Sequence, residues 1–75
     1  MAALSALKPG QRGLITEVNG DDAIAVRLME MGILDGEEIE MVGKAPLGDP
    51  AEYIIRGYRI SLRNAEAERV LIDRI

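Results

Sequence analysis

From Arg27 to Pro50 the chain reads RLMEMGILDGEEIEMVGKAPLGDP, and no single regular element can run through it. Gly32 follows Met31 where an apolar helical stripe ends, and a glycine there takes the left-handed angle that closes a helix. In that ending Ile33 falls where a Schellman motif wants an apolar contact with Leu28. Leu34-Asp35-Gly36-Glu37 is a turn by its Asp-Gly pair. It launches Glu38 to Val42, where Ile39 and Met41 share one face and Glu38 and Glu40 the other, the period of a half-buried strand. Pro46 and Pro50 then exclude a central strand, because neither supplies an amide donor and each pushes its predecessor toward extended backbone. Helix end, turn, strand and rigid loop thus follow one another with little connecting length.

The flanks follow the same economy. Lys8-Pro9-Gly10-Gln11 has the residues of a tight turn, so a strand is expected to start near Arg12. There Leu14, Thr16 and Val18 alternate with Gly13, Ile15 and Glu17, with Ile15 breaking the pattern toward a second packed surface. Asn19-Gly20 ends the strand, and Asp21 or Asp22 is suited to cap a helix. Ile24, Leu28 and Met31 recur at i, i+4 and i+7, broadened by Ala25 and Met29, while Arg27 and Glu30 lie off that face. Beyond the proline loop, Tyr53 to Arg56 and Tyr58 to Arg63 flank Gly57 closely enough for a tight hairpin, with Tyr58, Ile60 and Leu62 on one face. Asn64 reads as a cap for one short helical turn over Ala65 to Glu68, and Val70 to Ile75 as a closing strand.

With 75 residues the chain is a single domain, 1–75, with room for one small core. It has no Cys, Phe or Trp, so aliphatic side chains, four methionines and two tyrosines must fill that core without disulfides or thiolate zinc. Five short strands with one helix after the first and a short turn near the end predict a mainly β fold with one or two short helices, a small SH3-like five-stranded barrel. In it the first and last strands pair and the helix covers one end. No stretch approaches the roughly 20 apolar residues of a membrane span and no signal peptide is legible, so the chain is expected to be cytoplasmic without inserting into a membrane.

Several function classes are excluded or weakened. A net charge of −4 argues against a nucleic-acid partner. Without His or Cys, and with only Ser5, Thr16, Ser61 and the tyrosines as hydroxyls, no nucleophile has an evident base, so no catalytic residues and no enzyme activity are expected. The same inventory lacks imidazole and thiolate for a transition metal. A weak carboxylate site at Asp21 and Asp22, or at Glu37, Glu38 and Glu40, is the remaining metal reading; no cofactor is expected. Charge is uneven along the chain, with three basic and eight acidic residues through Glu40, then six basic and five acidic ones. That division suits either an oriented protein contact or a mixed solvated surface. The proline-limited loop can hold Leu47 at the surface with little ordering cost on binding; alternatively Pro46, Gly48, Asp49 and Pro50 merely build the turn between two strands, with Leu47 tucked underneath. Of Met29, Met31 and Met41, Met29 is the most accessible by its position.

Taken together, Arg27-Leu28-Met29-Glu30-Met31-Gly32-Ile33, Gly36, Ala45-Pro46-Leu47-Gly48-Asp49-Pro50, Arg56-Gly57-Tyr58, Ser61-Leu62-Arg63 and Glu66-Ala67 resemble the FeoA family over nearly the whole chain. Aspartate at Asp35 stands in a turn where FeoA-like sequences often carry proline. The resemblance implies an SH3-like barrel acting beside the FeoB membrane ferrous iron transporter, by contact with its cytoplasmic region and without carrying iron. The helix face near Arg27, Met29 and Glu30, with the loop at Leu47, Gly48 and Asp49, is the expected contact surface. FeoA-like domains also end metal-dependent repressors, so a detached regulatory domain of that kind is the alternative; length discriminates the two, since a full-length product of this size is not expected to hold a DNA-binding part.

Overall fold

A computed structural model describes residues 1–75 and contains six strands and two helices. β1 (Ala2–Ala3) is followed by a 3₁₀ turn over Leu4–Ala6, then β2 (Arg12–Val18), α1 (Ala23–Glu30), β3 (Glu38–Lys44), β4 (Ala51–Ile55), β5 (Tyr58–Leu62), α2 (Asn64–Ala67) and β6 (Val70–Arg74). All pairings are antiparallel, in the order β1-β6-β2-β3-β4-β5. The expected pairing of the first long strand with the last is present as β2 with β6. The expected count of five is short by one, because Ala2 and Ala3 pair with Ile72 and Leu71. Two small residues carry no alternation that a sequence could display.

The sheet curls around one core in which Leu4, Leu7, Ile15, Leu28, Ile33, Ile39, Met41, Tyr53, Ile55, Leu62 and Ile72 are buried. β3 and β4 alternate as their sequences require, with Ile39 and Met41, then Ala51, Tyr53 and Ile55, facing inward. In β2 the structure corrects the expected facing: Gly13 and Ile15 are buried and Leu14 is exposed. The reason is a bulge. Ile15 pairs with Ile72 and Glu17 with Leu71, leaving Thr16 as the extra residue, which turns the strand so that Val18 packs against the core after all. Gly13 lies so close to β6 that a Cβ there would sit 2.7 Å from Ile72 Cδ1.

Helix α1 also differs from the expected stripe. Ala25 and Leu28 are its buried residues and Met31, just beyond it, packs against the core, while Ile24 and Met29 on either side of that line are each about two-fifths exposed. The Asp22 carboxylate caps it by accepting from the Ala25 N–H at 3.2 Å. At the other end the Ile33 N–H donates to the Leu28 carbonyl at 3.1 Å and the Gly32 N–H to that of Met29 at 3.0 Å, with Gly32 at φ +97°. Those paired bonds are the Schellman ending expected from the sequence, with Leu28 and Ile33 buried together.

Candidate functional site

The six residues expected to form the contact surface lie on two separate elements, and α2 joins them. In the loop, the Gly48 N–H donates to the Ala45 carbonyl at 2.7 Å and the Ala45 N–H to that of Pro50 at 2.9 Å. These bonds close the loop on itself and leave Leu47 at its tip, 97% exposed. Of the two readings open for Leu47, the tucked one is thereby removed. An aliphatic side chain held in water by a closed loop buries apolar area without first losing chain freedom when another surface covers it.

Loop and helix meet at the start of α2. The Asn64 N–H donates to Asp49 Oδ1 at 3.0 Å, and the Asn64 side-chain amide donates to the Gly48 carbonyl at 3.2 Å. Asn64 is therefore the first residue of α2, with Arg63 at the cap position, and its side chain serves the loop instead of its own helix. One turn later the nearly buried Glu66 accepts from the Arg63 N–H at 2.9 Å through one oxygen and from the Arg27 guanidinium through the other. A run of polar contacts thus passes from Arg27 on α1 through Glu66 and Asn64 to Gly48 and Asp49. Sequence reading missed this role for Glu66, although its place three residues after the cap residue is the known signal for a carboxylate that reaches back to a helix start.

The individual residues are not equivalent. Met29, 42% exposed, and Glu30, also exposed, are available on the outer side of α1. Arg27 already has an internal partner in Glu66. Gly48 and Asp49 hold the loop, and Leu47 stands free at its end. Met31 is half-buried against the core and Met41 is buried within it, so Met29 is the accessible methionine of the three.

Charges interleave over the surface. Arg12 pairs with Glu38 at 3.0 Å, Arg56 with Glu37 at 3.9 Å, Arg59 with Glu52 at 3.2 Å and Arg69 with Asp22 at 2.5 Å. Acidic residues of the first half thus pair with basic ones of the second, a mixed surface and not two opposed faces. The Arg69 hydrogen bond, with the Ala25 N–H second, holds the Asp22 carboxyl below its usual range. Burial raises the Tyr53 hydroxyl above its ordinary value. No three metal-ligating side chains converge, and no helix is long and apolar enough to cross a membrane.

This fold is shared with known proteins. Residues 2–74 match the model of the FeoA domain. A curated Fe(2+) transport protein A/Fe(2+) transporter FeoB fusion protein from Porphyromonas gingivalis is 38% identical over 72 residues, 96% of this chain. The chain spans only 8% of that fusion's length. The solution structure of an FeoA-like protein from Clostridium acetobutylicum superposes with a TM-score of 0.92 at 32% identity, covering 99% of this chain and 86% of that one. The Stenotrophomonas maltophilia FeoA structure, solved with zinc and described as a procaryotic SH3 domain protein, gives 0.85 at 38% identity, covering 97% and 91%. With the family match spanning all but the terminal residues, and relatives above 30% identity over nearly their whole length, this chain belongs to the FeoA domain family.

Proposed function

We propose that this chain is a non-catalytic accessory protein of ferrous iron uptake that works in the cytoplasm by binding the cytoplasmic region of a FeoB-type transporter. The observation that carries the reading is the fused relative, in which an FeoA part and an FeoB part occupy one polypeptide. A covalent link holds two modules at high effective concentration, so an interaction too weak to persist between separate chains persists in the fusion. Selection of such a link makes sense where the modules act together.

The contact surface in this reading is Leu47 at its exposed tip, Met29 and Glu30 on α1, and Arg27, Gly48 and Asp49 beside them. Leu47 supplies apolar area, Met29 an adaptable apolar neighbour, and Glu30 a charge at the rim. Arg27, Gly48 and Asp49 act through their internal bonds, which keep helix and loop in fixed relation through α2.

Calorimetric titration of the transporter's cytoplasmic region with the wild type and with Leu47→Ala tests the assignment. Truncating an exposed leucine that becomes covered is expected to weaken binding about tenfold. The thermal midpoint of the free protein should not move, because the side chain makes no core contact. Equal affinities for the two proteins would remove Leu47 from the surface.

A further inference from the structure

The sheet has two edges, and they differ in what they offer. β1 presents two residues; β5 presents five. At β5 the hairpin decides which backbone groups face outward. Its loop is Arg56-Gly57 with φ of +54° and +83°, a two-residue connection of the I′ kind, so the flanking pair Ile55 and Tyr58 exchanges both hydrogen bonds. Alternation then makes Tyr53 with Ile60 and Ala51 with Leu62 the next bonded pairs. The N–H and C=O groups of Arg59 and Ser61 consequently point away from β4. None of the turn, loop and cap hydrogen bonds of the chain takes them up, and both residues are exposed.

We infer that this edge pairs with the same edge of a second copy of the chain, antiparallel, about a twofold axis through Ile60. Charge selects that register. Outward-facing residues must meet outward-facing residues, so the axis can pass through Arg59, Ile60 or Ser61. An axis through Arg59 sets two arginines directly opposite, and one through Ser61 sets Arg59 opposite Arg63; like charges so placed oppose pairing. Through Ile60, Arg59 of each copy lies opposite Ser61 of the other and exchanges both backbone hydrogen bonds with it. Arginine on an edge strand ordinarily discourages pairing. Here it discourages every register but one.

The faces agree with this register. Glu52 is the partner of Ser61 across β4 and β5, and within one copy it already meets Arg59 at 3.2 Å. In the pair, the row across the sheet becomes Glu52, Ser61, then Arg59 of the second copy. The small serine leaves space for that guanidinium to reach the carboxylate, so Arg59 and Glu52 link the copies. On the opposite face the half-buried Ile60 meets its own equivalent, and Tyr58, 74% exposed in one copy, stands in register opposite Leu62 of the second copy, whose side chain stays in its own core.

A contact of one short strand is small for a specific interface, so the dissociation constant is expected between about 10 μM and about 1 mM. Sedimentation equilibrium of the full chain over that range should show the mass rising from 8.2 kDa toward twice that value. Ser61→Pro removes an outward N–H that β4 does not use, and Ser61→Arg places a like charge opposite Arg59. Both should remain monomeric at every concentration while keeping the wild-type circular dichroism; should the proline variant fail to fold, the arginine variant decides. In the wild type, exchange of the Arg59 and Ser61 amides should slow as concentration rises. A wild type that stays at 8.2 kDa at the highest concentration overturns the inference, as does undiminished association of the folded variants. Slowing of those amides only when a transporter fragment is added would assign the edge to a foreign strand and overturn self-pairing.

Discussion

Asp22 serves the start of α1 twice, since its Oδ1 caps the helix at the Ala25 N–H and also receives the Arg69 guanidinium. The second contact depends on Gly20, where φ is +95° and a Cβ would lie 2.9 Å from Arg69 Nη1. Both contacts favour the charged carboxylate, so its folded pKa lies below the ordinary 3.8. For a depressed acid, the stabilisation is complete above the unfolded pKa and disappears as pH falls through the folded one. Asp22→Asn keeps an oxygen for the cap and loses the charge for Arg69. The variant is expected to melt below the wild type at pH 7, with the gap closing as both are taken below pH 3.8, which thermal melts across that range would follow. A gap that persists undiminished in acid would mean that the cap, not the ion pair, carries the difference. The capping role was legible, since an aspartate before an apolar-periodic run is a helix start; the arginine, 47 residues away, was not.

At the scale of elements, α2 has only four residues yet fixes the relation of α1 to the proline loop. Glu66 is the residue on which that relation turns. Glu66→Ala leaves the Arg63 N–H without its acceptor and Arg27 without its partner, and loss of a part-buried hydrogen bond of this kind costs about 1 to 3 kcal/mol. Chemical denaturation should register that loss, and the amides of Gly48 and Asp49 should broaden as the loop's anchor loosens. Glu66→Gln retains an acceptor for Arg63 and should fall between the alanine variant and the wild type. Elements marked by local chemistry were legible in the sequence: the Schellman ending at Gly32 and Ile33, the Pro9-Gly10 turn, the hairpin at Gly57 and the alternation of β3. The bulge at Thr16 was not, because it exists only relative to β6, and no local pattern announces the partner strand. Nor was the exposure of Ile24, which the helical period alone put on the same face as Leu28.

For the whole molecule, the sequence carried the fold further than the site. A chain without Cys, Phe or Trp builds its core mostly from aliphatic side chains, with Met41 and Tyr53 among them, that meet across β2, β3, β4 and β6, with Leu4, Leu7 and Leu28 closing the remaining sides. Much of that core follows from turn residues and the period of β3, so the architecture was readable apart from the two-residue β1 and the facing of β2. The candidate surface depends instead on contacts between segments far apart in sequence, Arg27 to Glu66 and Asn64 to Gly48, which a linear reading cannot join. What it did identify was the exposed end of that system, Leu47 and Met29. In the proposed function this surface engages a transporter and the chain does not work as an iron carrier. Both halves are tested together by a two-dimensional amide NMR titration of labelled protein with the cytoplasmic region of a FeoB-type transporter, run beside an anaerobic titration with ferrous iron. Shifts or broadening centred on Met29, Leu47 and the α2 amides are expected with the transporter region, and an unchanged spectrum with iron. Silence toward the transporter region together with saturable, localised shifts on adding iron would contradict the proposal and move the function to a carboxylate metal site.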